Sequence, residues 1–465
     1  MGEAPRHGAA VRGNPGSGFR VPTDGGRLIS TPAVSDPRPF LWGVATSAYQ
    51  VEGAADNDWT DWERQDRLKV RGTRCGKGTG HGQRWRSDFA LLPSLSANAY
   101  RFSLERSRIE PEPGRFCDEA LAVERSRVAV LARMGVEPCV TLHHYTHPRW
   151  FWAQGGWENP ASIAGFRRYA EVVADALGPR VRLWVTLNEP IVFLLGGYLG
   201  GLIPPGRTDF RTAARALEHM LRAHTEAAAA IRERIPDCRI GIAHNMLEFA
   251  PDRRDSALDR RLARAGERLY NLALLEAVAT GDLDWAFPGR GRTRVRLADL
   301  PASNDYVGVN YYSRVHIRFR GVPGAVGEFF YRDPSARGLT DTGWEVHPHG
   351  FDAVLRQAGE TGLPVIVTEN GIATSDDRRR TDFLREHSLV LAHRQAAGTP
   401  IAGYFYWSLL DNFEWLEGFR PRFGLFEVDY ATYARRRRPS ADVFAALGRR
   451  FTAARDAGPA AASRT

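Results

Sequence analysis

The chain has 465 residues, 43% hydrophobic and 25% charged, which is typical of a globular protein long enough to bury a large core. The net charge is +9, but nearly all the cations are arginines interspersed with acidic residues, which disfavours a nucleic-acid partner. No apolar run approaches the roughly 20 residues of a membrane-spanning helix, so we expect no membrane partner.

The two ends of the chain have the composition of unfolded segments. Residues 1–38 are rich in Gly, Pro and Arg and contain no apolar stretch of the signal-peptide type, so we expect a disordered leader. Residues 454–465 are expected to form a flexible tail. One folded domain over residues 39–453 remains.

Strand-like and helix-like segments alternate along this domain. The predicted strands cover residues 40–48, 99–104, 137–142, 183–189, 240–246, 306–312, 364–370 and 401–409. Helical periodicity occurs at residues 119–134, 163–177, 213–234, 259–279, 350–360 and 381–397. Eight strands with intervening helices predict a single (β/α)8 TIM barrel, an α/β fold, with extended loops after the strands. An open doubly wound sheet is the alternative, but no G-x-G-x-x-G follows the first strand.

Four cysteines and one run of arginines bear on cofactors and partners. The cysteines, at positions 75, 117, 139 and 238, show no C-x-x-C spacing and no paired histidines. We therefore expect reduced thiols in a cytoplasmic protein, with no metal and no other cofactor. The arginine run at residues 435–438 precedes a proline and a terminal helix, which favours a solvated loop over a nucleic-acid patch.

Two predicted strands run directly into a glutamate. Glu189 ends the segment 183–189, and Glu369 lies near the end of the segment 364–370. A buried carboxylate costs desolvation energy unless it has a partner or a chemical role, and the C-terminal ends of barrel strands surround the active site. Either glutamate alone could cap the next helix. Because the same arrangement occurs twice, a catalytic pair of carboxylates, of the kind that cleaves glycosidic bonds, is favoured over two separate helix caps.

Polar and aromatic side chains are concentrated at the other predicted strand ends. Aromatic rings stack on sugar rings, and amide, imidazole and carboxyl groups bond their hydroxyls. A single buried Trp or His is more often structural, so the shared placement is what indicates a carbohydrate site. The residues are Gln50, Arg101, His143, His144, Asn188, Asn310, Tyr312, Trp407, Glu414 and Trp415.

Five sequence blocks resemble the signature segments of glycoside hydrolase family 1, the β-glucosidase family. They are FLWGVATSAYQVEG at 40–53, TLNEP at 186–190, VNYY at 309–312, TENG at 368–371 and YWSLLDNFEW at 406–415. The blocks occur in the family's order, and the resemblance extends over nearly the whole chain. Five multi-residue matches are more specific than any single motif.

The resemblance implies a retaining double displacement. Glu189 would be the general acid/base and Glu369 the nucleophile. Asn188 would bond the sugar 2-hydroxyl, Tyr312 would donate to Glu369, and the charge of Arg101 would keep Glu369 ionised. Asn310 would be a further residue that supports the two catalytic glutamates.

The resemblance also implies a site for the glycone, the sugar that is transferred. Glu414 indicates an unphosphorylated glycone such as glucose, galactose or fucose, because its carboxylate would repel a phosphate. Trp407 would lie beneath the sugar ring. Trp344 resembles an aromatic residue on the leaving-group side, but it could equally be a core residue. The implied substrate contacts are Gln50, His144, Tyr145, Trp344, Trp407, Glu414 and Trp415.

Two positions depart from the family pattern. After His144 the family usually has Trp-Asp, whereas this chain has Tyr145 and Thr146; a tyrosine can still stack on or bond to the sugar edge. Arg106 replaces a Trp of the barrel wall, and our hypothesis is that it narrows or charges the mouth of the pocket.

Three alternatives to a hydrolytic β-glycosidase stay open. They are a transglycosylating glycosidase, a natural-product tailoring glycosidase and an inactive sugar-binding barrel. Both intact glutamates disfavour the last of these.

Overall fold

The computed structural model describes residues 38–53, 55–322, 325–331 and 338–456. The predicted leader and tail, residues 1–38 and 454–465, lie almost entirely outside this set and stay predictions. The last helix continues to Asp456, three residues beyond the predicted end of the domain. None of the helices in the described ranges is both long and apolar enough to cross a bilayer.

Eight parallel strands close into a barrel, as predicted. Each strand pairs with its neighbours in chain order, and the last pairs with the first, Ala45 lying opposite Trp407. Closure leaves no free edge in the ring. The strands are β1 (Leu41–Ala45), β2 (Ala99–Ser103), β3 (Glu137–His143), β4 (Leu183–Asn188), β5 (Arg239–Pro251), β6 (Tyr306–Val322), β7 (Val365–Asn370) and β8 (Ile401–Trp407).

The predicted helices are present, and most begin a few residues earlier than the apolar periodicity. The reason is capping: the side chain of Asp209 accepts from the backbone N–H of Thr212 and starts a helix at Phe210. The predicted helix 259–279 is divided by a π-helical turn at Arg268–Leu272. The longer helices are Asp118–Arg133, Ala161–Leu177, Phe210–Arg234, Ala257–Glu267, Ala273–Thr280, Pro348–Gly359, Asp377–Ala396 and Ser440–Asp456.

Shorter elements, most of which the sequence did not predict, lie in the loops. The hairpin strand Asp282–Phe287 alternates polar residues with the buried Leu283 and Trp285, whereas its partner Gly291–Arg296 is polar and largely exposed and lacks the apolar alternation that marks a strand. The strand Ala325–Phe330 pairs with the far end of β6. Short helices are Ala48–Glu52, Asp58–Arg64, His81–Phe89, Arg106–Ile109, Arg149–Ala153 and Pro190–Leu194.

Small and apolar residues fill the inside of the barrel. Every second residue of a strand points inward, and Leu183 and Val185 of β4 belong to one buried cluster with Ala243, Ile366 and Phe405. Towards the C-terminal ends of the strands, the same alternation places polar side chains inward. The apolar layers thus form a floor beneath a polar site.

The arginine run at 435–438 is not the solvated loop that was predicted. Its first three residues form a short strand that pairs with Phe426–Val428. Arg435 is paired with Asp88 at 2.7 Å, and Arg438 with Asp411 at 2.7 Å. These arginines therefore attach the C-terminal segment to the barrel through ion pairs.

Candidate active site

A cavity of about 350 Å³ lies at the C-terminal ends of the strands. Eleven of the thirteen residues for which the sequence implied a catalytic or substrate-binding role line it. The other two, Arg101 and Asn310, lie behind the wall and contact the glutamates. The eleven are Gln50, His144, Tyr145, Asn188, Glu189, Tyr312, Trp344, Glu369, Trp407, Glu414 and Trp415.

Glu369 extends from β7 into the cavity and accepts two strong hydrogen bonds. Arg101 donates to Oε1 at 2.6 Å, and the Tyr312 hydroxyl donates to Oε2 at 2.7 Å. Burial raises the pKa of Glu369 to about 7, the guanidinium of Arg101 opposes this rise, and the neighbouring Glu189 adds to it. Arg101 thus favours the ionised form of Glu369, but desolvation outweighs the ion pair, and the role predicted for Arg101 stays a prediction.

A chain of hydrogen bonds connects the two glutamates. Arg101 donates to the Asn188 Oδ1 at 2.5 Å through one nitrogen and to Glu369 through the other. Asn310 donates to Asn188 Oδ1 at 3.2 Å and to Glu189 Oε1 at 2.7 Å. The planar guanidinium thus sets the position of Asn188 relative to Glu369.

Glu189 follows β4 directly and accepts hydrogen bonds at both carboxyl oxygens. Its Oε1 takes the Asn310 bond and a second one from Asn245 Nδ2 at 2.9 Å. Its Oε2 accepts from the hydroxyl of Tyr145. The two glutamates therefore have different partners: a guanidinium and a phenol hold Glu369, whereas two amides and a phenol hold Glu189.

Gln50 and Glu414 lie together at one end of the cavity. Gln50 donates to Asn412 Oδ1 at 2.9 Å and to the carbonyl oxygen of Phe413 at 2.8 Å, which fixes its amide. Trp407 Nε1 donates to Glu414 Oε1 at 3.2 Å. Burial raises the pKa of Glu414 to about 8, although the bond from Trp407 opposes the rise. At neutral pH this carboxyl group is mostly protonated.

Three aromatic rings lie nearly parallel beside the glutamates. His144 is inclined by 17° to Trp407 at 6.0 Å and by 16° to Trp415 at 6.1 Å. Burial, and then the charge of Arg101, hold the pKa of His144 well below its usual range, so its ring is neutral. The arrangement offers flat apolar faces with polar edges, as a sugar ring requires.

Trp344 belongs to the cavity wall and not to the core, which decides between the two interpretations of this residue. It is half-buried, and its ring packs on Tyr312 at 5.5 Å and on Phe423 at 6.3 Å. Its backbone N–H donates to the side chain of Thr340 at 3.0 Å. This contact orders the loop that carries the indole.

Three of the residues in the cavity wall have left-handed backbone conformations. The φ angles are 72° at Tyr145, 50° at Glu189 and 52° at Trp415. A side chain disfavours this region by roughly 1–2 kcal/mol, so such a conformation persists only where the surrounding contacts impose it. The packing of the site therefore holds these side chains in fixed directions.

The sequence interpretation missed several residues of the site. Asn245 lies in the predicted strand 240–246, so the strand-end rule that found Asn188 could have found it. Tyr270 donates to Asn245 Oδ1 at 2.7 Å from the π-helical turn, and no pattern in the sequence marks it. The other missed residues of the wall include Trp59, Lys69, Val192, Ile203, Leu247 and Tyr331.

The hypothesis for Arg106 is wrong. The side chain is buried away from the cavity, and its guanidinium pairs with Glu110 at 2.7 Å. It packs on the rings of Trp150 at 5.1 Å and Tyr169 at 5.0 Å. Arg106 therefore fills the space of an aromatic residue by packing among aromatic rings, and it neither narrows nor charges the mouth of the pocket.

No group of three or more His, Cys, Asp or Glu side chains suited to a metal ion occurs in the part of the chain that the structure describes. The cavity presents two buried glutamates together with their hydrogen-bond donors. Two buried carboxyls facing one cavity can divide nucleophilic attack and proton transfer between them.

Comparisons with known proteins agree with this geometry. The model of glycosyl hydrolase family 1 matches residues 34–451. Beta-glucosidase A of Thermotoga maritima is 34% identical over 426 residues, covering 86% of this chain and 94% of that protein. A bifunctional beta-D-glucosidase/beta-D-fucosidase of Bifidobacterium breve is 31% identical, covering 90% and 98%. The solved beta-glycosidase from Pyrococcus horikoshii is 37% identical with a TM-score of 0.81, covering 89% and 94%. Our chain therefore belongs to glycosyl hydrolase family 1.

Proposed function

We propose that this protein is a retaining β-glycosidase in which Glu369 is the nucleophile and Glu189 the general acid/base. Its substrates carry a terminal, unphosphorylated β-D-glucosyl residue, or a galactosyl or fucosyl residue. The observation that carries the proposal is that both carboxyl groups face one cavity with different hydrogen-bond partners. Different surroundings are what allow two glutamates to take different roles.

In the first half-reaction, a carboxylate oxygen of Glu369 attacks the anomeric carbon. The bond from that carbon to the leaving oxygen breaks, and the proton of Glu189 moves to the leaving oxygen. Arg101 and Tyr312 support this step, because both donate to Glu369 and so stabilise its ionised form. In the second half-reaction, water attacks the same carbon, the bond from that carbon to Glu369 breaks, and the water gives a proton to Glu189, which returns both glutamates to their starting states.

Asn188 is suited to bond the hydroxyl next to the reacting carbon. Its Oδ1 already accepts from Arg101 and Asn310, so its amide nitrogen points away from both and can donate to the substrate. The same amide nitrogen lies 3.5 Å from Nε2 of His144. The two residues can therefore hold adjacent hydroxyls of one sugar.

The glycone end of the cavity fits an uncharged sugar. Gln50 and Glu414 supply an amide and a carboxyl group there, and Trp407 presents an indole. Among the described residues that line the cavity, Lys69 is the one lysine or arginine, and it is paired with Glu417 at 2.5 Å instead of being placed to balance a phosphate. The bifunctional relative cited above supports a site that accepts both glucosyl and fucosyl groups.

A cytoplasmic location is part of the same proposal. All four cysteines are free thiols, and three of them are buried. Unpaired buried thiols are usual in reducing compartments. We further propose that nucleic acids and membranes are not partners, which is supported by the ion-paired state of Arg435 and Arg438.

The test uses p-nitrophenyl β-D-glucoside, β-D-galactoside and β-D-fucoside with the wild type, Glu369→Ala and Glu189→Ala. We expect the wild type to release the β-anomer first, and both variants to lose activity by a factor of about 10³ or more. Azide should restore Glu369→Ala with an α-glycosyl azide and Glu189→Ala with a β-glycosyl azide. Wild-type protein that binds sugars but cleaves none of the three glycosides would contradict the proposal.

A further inference from the structure

The two carboxyl oxygens of Glu189 are not equivalent. Oε1 accepts from two amide nitrogens, Asn245 Nδ2 at 2.9 Å and Asn310 Nδ2 at 2.7 Å. An amide NH₂ group can donate a hydrogen bond but cannot accept one. A proton on Oε1 would therefore point at two donors, so Oε1 is suited only to accept.

The orientations of these two amides are set by their other partners. The hydroxyl of Tyr270 donates to Asn245 Oδ1 at 2.7 Å, and the hydroxyl of Thr368 donates to Asn310 Oδ1 at 2.6 Å. Each side-chain oxygen thus has its own donor, and each nitrogen is directed at Glu189. Rotating either amide by half a turn would bring its side-chain oxygen against Oε1 of Glu189, so that two acceptors would face one another.

Oε2 has a different kind of partner, the hydroxyl of Tyr145. A phenol hydroxyl can donate to a carboxylate, and it can also accept from a protonated carboxyl group. Burial and the proximity of Glu189 raise the pKa of Tyr145 well above its usual value, so this hydroxyl keeps its own proton. Tyr145 can therefore bond to Oε2 whether or not Glu189 is protonated.

The ring of Tyr145 is held firmly in place. It is 6% exposed and meets Trp415 edge-on at 5.3 Å and Phe193 at 6.3 Å. Its backbone has a φ of 72°, which a tyrosine adopts only under the constraint of its surroundings. A hydroxyl on a fixed ring can direct a carboxyl group that would otherwise rotate.

We propose that Oε2 of Glu189 carries the acidic proton and that Tyr145 is a positioning residue for this oxygen in both half-reactions. The inference rests on the proposed acid/base role of Glu189 and departs from the expectation that Tyr145 contacts the sugar. When the leaving oxygen takes the proton from Oε2, the Tyr145 hydroxyl turns to donate to the newly formed carboxylate. When water attacks, its proton passes to Oε2 and Tyr145 becomes the acceptor again.

The experiment compares Tyr145→Phe with the wild type on 2,4-dinitrophenyl, p-nitrophenyl and phenyl β-D-glucosides. Poor leaving groups need proton donation and good ones do not. We expect kcat/KM for the phenyl glucoside to fall about tenfold, the loss expected for one hydrogen bond to a charged group, and kcat/KM for the dinitrophenyl glucoside to stay within about twofold. Azide should raise kcat of the variant on the dinitrophenyl glucoside, because azide needs no general base.

Matched variants distinguish the loss of a positioning contact to Glu189 from a general effect of removing a tyrosine hydroxyl. Tyr312→Phe removes the same group from Glu369 and should lower kcat/KM by a similar factor for all three leaving groups. Tyr198→Phe removes a buried hydroxyl that has no hydrogen-bond partner among the described residues, and it should change nothing. Tyr145→Trp, which offers a donor but no acceptor, should show the same leaving-group dependence as Tyr145→Phe and serves if that variant does not fold.

An equal loss on all three glucosides, or a rise in KM alone, would overturn the proposal and make Tyr145 a sugar contact. That result would leave the proposed function intact, provided that azide still restores Glu189→Ala. If azide does not restore Glu189→Ala, the acid/base assignment fails first, whatever Tyr145→Phe does. The two failures are therefore distinguishable.

Discussion

The guanidinium of Arg101 donates to Oε1 of Glu369 at 2.6 Å, and both side chains are almost completely buried. Two opposing effects act on Glu369: the ion pair favours its charged form, and desolvation disfavours it. Desolvation prevails, and the pKa of Glu369 is raised to about 7. The proposed nucleophile therefore titrates in the neutral range.

The pH profile of kcat/KM follows from this titration. Glu369 must be ionised to attack, so kcat/KM should rise as the pH increases through about 7. The Tyr312 hydroxyl stabilises the ionised form, and Tyr312→Phe should move this acid limb to higher pH by about one unit. Initial rates at low substrate concentration from pH 5 to 9 provide the measurement. A limb that does not move in the variant would mean that another group controls it.

Arg101 should not be replaceable by lysine. Arg101→Lys keeps a positive charge near Glu369, but a single ammonium cannot reproduce the separate bonds to Glu369 and Asn188. We expect kcat/KM to fall about 10²-fold in Arg101→Lys and further in Arg101→Met, where the acid limb should also move to higher pH. Equal activities of the Lys and Met variants would show that the charge of Arg101 contributes nothing.

Discrimination against a 6-phosphorylated glucoside should depend on pH. The pKa of Glu414 is raised to about 8, so its carboxyl group is mostly neutral below that pH and repels a phosphate only above it. The ratio of kcat/KM for p-nitrophenyl β-D-glucoside to that for its 6-phosphate should therefore increase as the pH rises through about 8. In Glu414→Gln the ratio should stay constant. A pH-independent ratio in the wild type would contradict this role.

Arg106 should matter for stability and not for catalysis. Arg106→Met leaves the fully buried carboxylate of Glu110 without its cation, which should lower the free energy of unfolding by about 3–5 kcal/mol. The double variant Arg106→Met/Glu110→Gln should recover part of this loss. Urea unfolding gives the stabilities, and KM for p-nitrophenyl β-D-glucoside should be unchanged in both. An altered KM would bring back the idea that Arg106 acts on the pocket.

Much of the fold was accessible from the sequence because it depends on local patterns. The barrel strands are short apolar runs, and helical periodicity separates most of them, so both could be identified without knowing their partners. Two short strands outside the barrel could not be identified in this way. The hairpin strand Gly291–Arg296 is polar and largely exposed, and the strand at Arg435–Arg437 consists of arginines, of which Arg435 pairs with the distant Asp88. Neither carries an apolar pattern.

By itself, the sequence determined the eight-stranded barrel and the positions of Glu189 and Glu369, because a charged residue at the end of a buried strand can be recognised locally. Only the tertiary structure decided what each glutamate touches. Tyr145 and Asn245 reach Glu189 across 44 and 56 residues of chain, and the side-by-side pairing of β3, β4 and β5 brings them together. The direction of the Arg106 side chain was likewise decided by packing, because an arginine can extend to solvent or pack among aromatic rings with equal local propensity.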